Sequence, residues 1–196
     1  MKKTLAIVGV LIGIVIVIGL YYIGTYNSIV TKKQTVEASW GQVQNNYQRR
    51  ADLIPNLVEV VKGYAKHESS TLVAVTEARQ QIQKLDVSKL ANDPEAQKKF
   101  IEAQNSLSGA LQRLLVVREA YPDLKANNNF RDLQVQLEGT ENRITVARMD
   151  NQNAIKEYNT LVMGFFSSVV ARRNGFKTME YFQADQVAQT APKVGF

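Results

Sequence analysis

The residues of this chain that could do chemistry are few, and the first to consider is His67, its only histidine. His67 and Glu68 could begin a zinc-binding His-Glu-x-x-His helix, but that motif needs a second histidine, which the chain does not have. The chain has no cysteine either, so a Cys-His nucleophile pair is impossible. A serine nucleophile would have only His67 as an imidazole base, and no Gly-x-Ser-x-Gly turn exists to present it.

The common cofactor-binding signatures are also missing from the sequence. It contains neither a Gly-x-x-x-x-Gly-Lys phosphate loop nor a Gly-x-Gly-x-x-Gly dinucleotide fingerprint. Paired carboxylates could do acid-base work, but no segment of the sequence gathers them into a visible pocket. We therefore expect a protein that is not an enzyme and that holds neither a metal nor a cofactor.

A second group of polar residues consists of charges on helical steps that predict burial. Glu68 stands on such a step between Tyr64 and Leu72, and Arg50 occupies another. Because an unpaired buried charge is costly, these residues should have partners. We predict that arginines pair with acids across a helical bundle and fix its register; the alternative is a polar groove that receives a ligand or a peptide. The candidate polar network comprises Arg49, Arg50, Glu68, Arg79, Glu119, Glu141, Arg143 and Arg148.

The elements that must position these charges are helices. Beyond residue 26, core-type residues recur at alternating steps of three and four, which predicts amphipathic helices packed nearly side by side. One such run is Leu133, Leu137, Thr140, Ile144, Ala147, Asn151, Ala154, Tyr158, Leu161 and Phe165. We predict an all-α fold, an antiparallel four-helix bundle with long helices at residues 26–52, 55–84, 94–120 and 129–163.

Prolines and caps support these bounds. Pro55 fits a first helical position, so that either a new helix starts there or a long one kinks. Asp93, Pro94 and Glu95 supply an amino cap, a proline in the first turn and an acid near the positive end of the helix dipole. We expect a short helix or ordered return at residues 164–182. The predicted domains are an anchor at 1–25, the bundle at 26–182 and a flexible tail at 183–196.

An apolar run begins at Leu5 and ends at Ile23, inside a stretch of 28 residues without a charge. At about 1.5 Å per residue its 19 positions give a helix of about 28 Å, close to the ~30 Å hydrocarbon thickness of a bilayer. We predict one N-terminal transmembrane helix that contacts the lipid bilayer through these residues. The alternative is a cleaved secretory signal, but the run is longer than a signal core and no Ala-x-Ala-like site follows it.

The distribution of charge bears on topology and on partners. Lys2 and Lys3 directly precede the apolar run, which favours a cytoplasmic amino terminus and an extracytoplasmic soluble domain. The chain carries 24 basic and 18 acidic residues, and its basic residues occur in pairs such as Arg172-Arg173 rather than in blocks. Aromatic residues are not interleaved with these pairs as base stacking requires, so we expect no nucleic-acid partner.

Ten sequence blocks together resemble one known family. They are Tyr26-Asn27, Trp40, RRADLIPNL at 49–57, YAKHE at 64–68, Ala78-Arg79, EAYPDLKAN at 119–127, LQVQL at 133–137, TENRI at 140–144, Ala147-Arg148 and Tyr158-Asn159. In this order and spacing they are similar to the LemA family, from the anchor to about Phe182. Two blocks depart from the family pattern: MDN at 149–151 stands where an aromatic-Asn pair is common, and Phe166-Ser167 stands where Phe-Pro is usual.

The resemblance implies a single-pass bacterial membrane protein with a helical bundle and without established catalytic chemistry. Proteins of this family resemble accessory or assembly components of the cell envelope. We therefore expect an interaction and assembly module that forms a homo-oligomer or binds an envelope protein. Val58, Leu115 and Val116 lie outside the core steps and are candidate contact residues; the alternative is that they widen the core face of their helices. The alternative is an envelope sensor that binds a peptide or small molecule between helices and passes a helix shift to the anchor.

Overall fold

The computed structural model of this chain describes residues 2–65, 67–85 and 93–181. All regular secondary structure in these ranges is helical. The helices are α1 (Lys2–Tyr64), α2 (Ser69–Gln83), α3 (Pro94–Val117), a 3₁₀ turn (Arg118–Ala120), α4 (Pro122–Ala126), α5 (Asn128–Met163) and α6 (Ser167–Arg173). The predicted all-α fold with one long apolar N-terminal helix is confirmed. The predicted tail at 183–196 lies outside the described residues.

The helical steps read from the sequence correspond closely to the buried positions. Along α5, buried residues occur at steps of three and four from Leu137 to Tyr158. The last step of that run is wrong, because Phe165 lies beyond the end of α5 with 86% of its surface exposed. In α1, Ile29, Val36 and Arg50 follow the same rule and are buried.

The predicted boundary between residues 52 and 55 is wrong. Pro55 lies inside α1, which continues to Tyr64, and the chain leaves the helix at Ala65. Pro55 is exposed, so its ring meets solvent rather than a packed neighbour. A proline inside a helix removes one i to i−4 hydrogen bond but does not have to end the helix when the freed carbonyl finds another donor.

The predicted start of α3 is confirmed. The carboxylate of Asp93 accepts hydrogen bonds from the backbone N–H groups of Glu95 and Ala96, at 3.0 and 3.2 Å. Asp93 therefore satisfies two of the backbone donors that an uncapped helix would leave without a partner.

The described residues divide into two compact units. The first unit contains the described part of residues 1–39 and 150–196, and the second contains that of 40–149. The predicted division at residues 25 and 182 follows another criterion, the end of the apolar run and of the family-like blocks, and stays a prediction.

The second unit contains segments of α1 and α5 together with α2, α3 and α4. Its core is apolar and aromatic: the ring centroid of Phe100 on α3 lies 6.3 Å from that of Trp40 and 5.3 Å from that of Tyr47, both on α1. Arg50 contacts Glu141 and Tyr64 contacts Asn127, so α1 and α5 run antiparallel in this unit. Because α2 also packs against α3, side chains of α1, α2, α3 and α5 lie together, as expected for a four-helix bundle.

The first unit contains the apolar part of α1, the end of α5, and α6. Its buried cluster consists of Ile29, Val36, Ala154, Ile155, Tyr158, Val162, Val170 and Ala171. In contrast, every residue from Lys2 to Leu20 is exposed. By length and composition, α1 is the one helix of the described residues that could cross a membrane.

Candidate functional site

The most deeply buried charge in the described residues is Arg50, whose side chain is 2% exposed. Its Nη1 donates hydrogen bonds to Ser108 Oγ and to Glu141 Oε1, each at 2.7 Å. Its Nη2 donates to the backbone oxygen of Gln104 at 3.2 Å and also to the side-chain oxygen of Gln104. One guanidinium therefore connects α1, α3 and α5. We call Arg50, Gln104, Ser108 and Glu141 the Arg50 cluster.

The ring of Tyr47 flanks the Arg50 cluster. The Cζ atom of Arg50 lies 5.1 Å from the ring centroid, within the range of a cation-π contact. Burial raises the pKa of Tyr47 above its ordinary value, while the positive charges of Arg148 and Arg50 oppose that rise. Arg148 also forms a hydrogen bond with the Tyr47 side chain. Two arginines and one carboxylate thus surround a neutral tyrosine.

The other arginines of the candidate network do not lie in this cluster. Arg79 on α2 is half-buried, and its Nε donates to the backbone oxygen of Ala51 at 3.1 Å instead of to a carboxylate. Arg49 and Arg143 are exposed on α1 and α5.

The acids of the candidate network also lie apart from one another. Among the described residues, Glu141 is the member of this set that contacts a buried arginine. Glu68 is half-buried and accepts a long hydrogen bond of 3.4 Å from the hydroxyl of Tyr121. Glu119 is exposed, and hydrogen bonds from Lys125 and Arg118 lower the pKa of its carboxyl. Of the eight residues chosen from the sequence, the structure joins Arg50 to Glu141 and places Arg148 close by, beside Tyr47.

Gln104 and Ser108 are not among the residues selected from the sequence. A strict alternation of four and three from Phe100 gives Gln104, Leu107, Leu111 and Leu114, and all of these are buried. The signal was therefore present at Gln104, whereas the neighbouring Ala103 is only half-buried. Ser108 follows Gln104 by one helical turn, which brings both side chains to the same face of α3.

A hydrogen-bonded arginine of this kind can hold helices in register but offers little chemistry. Ser108, Gln104 and Glu141 occupy both Nη atoms of Arg50, so the described cluster presents no array of free donors to a substrate. Its Nε is buried and has no hydrogen-bond partner among the described residues. No group of three residues of the types that bind metals comes together in the described part of the chain.

Asparagines organise the first unit. Asn151 is buried, and its Nδ2 donates to Ser39 Oγ at 2.8 Å and to the backbone oxygen of Val36 at 3.2 Å. Asn159 and Met179 form a reciprocal pair: the side-chain Nδ2 donates to the Met179 oxygen and the Met179 N–H donates to Asn159 Oδ1, both at 2.8 Å. The Asn159 pair fixes the segment after α6 against α5, so this part of the predicted return at 164–182 is ordered.

An open groove of about 460 Å³ lies between α1 and α5 in the second unit. Five of its seven lining side chains are polar, and two of these are acidic. The lining residues are Asn56, Glu59, Val60, Asn129, Asp132, Leu133 and Gln136.

Comparison with known proteins identifies the same family that the sequence blocks resemble. The model of the LemA family matches residues 39–196. Magnetosome protein MamQ 2 of Paramagnetospirillum magneticum is 26% identical over 182 residues, which cover 84% of this chain and 67% of that protein. Protein LemA of Metamycoplasma hominis is 25% identical over 177 residues, which cover 88% of this chain and 77% of that protein. The chain belongs to the LemA family.

Proposed function

We propose that this chain is a non-catalytic, membrane-anchored module of the bacterial cell envelope that associates with further copies of itself. In this proposal the N-terminal part of α1 is retained as a single membrane-spanning helix. The helical units then act as an assembly surface beside the lipid, on which an envelope protein can also be scaffolded.

The observation that carries the proposal is a stripe of exposed apolar residues on α5. Val135, Val146 and Met149 are 66%, 52% and 58% exposed. At about 100° per residue they fall within roughly 60° of one another on the helix surface, on the side opposite to the buried Ile144. Val146 and Met149 are neighbours one turn apart, and the exposed Asn142 lies on the same face between them and Val135. Apolar side chains on one face of a helix are suited to packing against an equivalent helix. We call these three residues the α5 stripe.

The candidate contact residues taken from the sequence contribute less exposed apolar surface to the proposed interface than the α5 stripe does. Val116 on α3 is 69% exposed and is available to a partner. Val58 and Leu115 are half-buried, so they widen the core of the second unit.

The anchor supports self-association because it confines the chain to a plane and raises its local concentration. A Cβ atom added at Gly9 or Gly13 would meet no atom within 4 Å. These two glycines are four residues apart on one face of α1, which permits another helix to approach closely in lipid.

The test uses the absence of native cysteine. In the full chain, Met149→Cys introduces a single thiol on the α5 stripe, and a short bismaleimide is applied to native membranes. We expect a crosslinked dimer, because symmetric packing through the stripe brings two such thiols together. Adding Val146→Asp should remove the dimer, since a charge would then be buried in the interface.

Gln112→Cys is the matched control, because Gln112 is exposed on α3 and away from the stripe. Equal crosslinking at residues 112 and 149 would indicate random collision and would contradict the proposal. So would a particle of constant monomer mass at all concentrations of the detergent-solubilised chain.

For topology we propose an extracytoplasmic position for the helical units, on the strength of Lys2 and Lys3 before the apolar run. A maleimide that does not cross the cell membrane should label Asn153→Cys in intact spheroplasts. Labelling only after lysis would show that the helical units face the cytoplasm and would contradict the proposed orientation.

The groove between α1 and α5 supports a second candidate function, an envelope sensor for a small cationic molecule or peptide. Glu59 and Asp132 both line it, so a cation would be attracted. Sensing predicts a monomeric chain whose melting temperature rises with a polyamine such as spermidine, and loss of that rise in Glu59→Gln. Concentration-dependent size without a melting shift favours assembly.

A further inference from the structure

The connection from α5 to α6 exposes four large apolar side chains close together in sequence. Phe165 and Phe166 are 86% and 68% exposed, and Met163 and Val169 are exposed to a similar extent. The two phenylalanine rings pack edge to face with centroids 4.9 Å apart, so they form one projection rather than two separate side chains. We call Met163, Phe165, Phe166 and Val169 the apolar turn.

Contacts within the first unit fix the apolar turn beside the end of the apolar run of α1. The ring centroid of Phe166 lies 6.4 Å from that of Tyr21 in an edge-on arrangement. The Nδ2 of Asn174, just after α6, donates to the hydroxyl of Tyr22 at 2.7 Å. The ring centroid of Phe176 lies 5.8 Å from that of Tyr26.

These contacts determine the depth of the apolar turn relative to a bilayer. Tyr21 stands two residues before Ile23, where the apolar run ends, so its Cα lies about 3 Å from that end along the helix axis. When residues 5–23 span the hydrocarbon, Tyr21 reaches the boundary between acyl chains and headgroups. Phe166 packs directly against it and must lie at the same boundary.

The charges around the apolar turn match an anionic lipid surface. No acidic residue occurs between Glu157 and Glu180, whereas this interval contains Arg172, Arg173 and Lys177. All three cations are exposed. Exposed aromatic and aliphatic residues followed by cations are the pattern of a segment that lies in the membrane interface.

We propose that the apolar turn is a second membrane contact, which inserts Phe165 and Phe166 among the lipid acyl chains while Arg172 and Arg173 bind headgroup phosphates. The inference rests on the proposed membrane anchor and adds an attachment point remote from it in sequence. A single helix would allow the first unit to rotate about its axis; a second contact restricts that rotation and presents one side of the unit to the lipid.

The test measures the lipid exposure of single cysteines in the full chain, reconstituted into vesicles that contain phosphatidylcholine and phosphatidylglycerol. A polarity-sensitive fluorophore is attached to Phe165→Cys or to Val169→Cys. Lipids that carry a nitroxide near the top of the acyl chain are then added as quenchers. We expect blue-shifted emission and strong quenching at both positions.

Two controls separate this inference from the anchor itself. Asn153→Cys is exposed on α5, about 15 Å along the helix axis from Met163, and should remain unquenched. Ile14→Cys lies in the middle of the apolar run and should be quenched best by nitroxides deep in the acyl chain. Quenching at residue 14 without quenching at 165 and 169 would overturn the second contact and leave the anchor intact. No quenching at residue 14 would refute the anchor and, with it, the second contact.

The role of the cations is tested in the same system. Replacing phosphatidylglycerol by phosphatidylcholine should reduce quenching at residue 165, and the double variant Arg172→Gln/Arg173→Gln should abolish that dependence on lipid charge. If the Phe165→Cys variant instead crosslinks through its thiol to a second copy of itself and is not quenched by lipid, the apolar turn is a protein interface and the proposal is wrong.

Discussion

The Nε of Arg79 donates a hydrogen bond to the backbone oxygen of Ala51 at 3.1 Å. Ala51 is four residues before Pro55, so its oxygen is the one that the missing proline N–H would have bound. An arginine on α2 therefore supplies the donor that a proline on α1 removed. This substitution of donors allows α1 to continue to Tyr64 and ties α2 to it.

The first prediction concerns this donor. Arg79→Met should lower the free energy of unfolding by about 1–2 kcal/mol, because the Ala51 oxygen loses its donor in a half-buried site. In a Pro55→Ala background residue 55 again has an N–H for Ala51, and the same substitution should cost markedly less. The four proteins to compare are the parent, the two single variants and the double variant. Their chemical unfolding in mild detergent, monitored by circular dichroism, gives the interaction energy between residues 55 and 79.

Arg113→Met is the matched control for Arg79→Met. The Nε of Arg113 also donates to a backbone oxygen, that of Gly109, but within its own helix and on an exposed face. Its loss should change stability by less than about 0.5 kcal/mol. An equal cost of Arg79→Met with and without Pro55 would show that Arg79 does not replace the proline donor.

The second prediction distinguishes two acids of the candidate network. Glu141→Gln should destabilise the protein by about 1 kcal/mol, because the buried Arg50 keeps an acceptor but loses its only carboxylate among the contacts described. The figure is modest because the Glu141 side chain is 43% exposed and its charge is partly screened. Thermal unfolding of the purified full chain provides the measurement.

Glu68→Gln serves as the comparison for Glu141→Gln. Since Glu68 accepts only a long bond from Tyr121, its replacement should change stability by less than about 0.5 kcal/mol. The assignment of the register contact to Arg50 and Glu141 would be wrong if Glu68→Gln proved the more damaging of the two.

The third prediction concerns Gly164, at the end of α5. A Cβ atom there would lie 2.5 Å from Ser167 Oγ, which donates to the backbone oxygen of Leu161 and is held in place by that bond. Gly164→Ala should therefore cost about 1–3 kcal/mol through overpacking. Combining it with Ser167→Ala removes the obstructing atom, so the additional cost of Gly164→Ala should largely disappear in that background. The denaturant midpoints of the parent, the two single variants and the double variant test whether residues 164 and 167 interact in this way.

The fourth prediction concerns alkaline pH. Burial raises the pKa of Tyr158, whose hydroxyl donates to the backbone oxygen of Lys177 at 3.0 Å. Because the folded protein holds this proton more tightly than the unfolded chain, its contribution is complete below the ordinary pKa of 10.0 and is lost as the pH rises through the folded value.

Tyr158→Phe tests that pH dependence. The variant should lose about 0.5–1.5 kcal/mol at neutral pH with the hydrogen bond, and its stability should then fall less steeply than that of the parent above pH 10. Parallel unfolding curves at neutral and alkaline pH provide the comparison. An identical alkaline decline in the two proteins would show that Tyr158 does not titrate in this way.

Sequence periodicity predicted most of the buried surface, because a helix places residues at steps of three and four on one face whatever its neighbours are. Arg50, Thr140 and Asn151 all occupied such steps, and all are buried. At Pro55 the local preference of proline for a helix boundary led to a wrong prediction, because α1 continues to Tyr64. The donor that overrides this preference is Arg79, which lies 28 residues after Ala51 in sequence.

The sequence by itself determined the helical class, the apolar run at residues 5–23 and the membership of the family, since all three depend on residue type and local order. It also limited the polar network to a few charges on core steps. Only the tertiary structure decided which acid meets Arg50, because Glu68, Glu119 and Glu141 lie on different segments of the chain and their distances from Arg50 depend on how those segments pack. The position of Phe166 beside Tyr21 is likewise a tertiary contact, since 145 residues separate the two rings along the chain and no local pattern relates them.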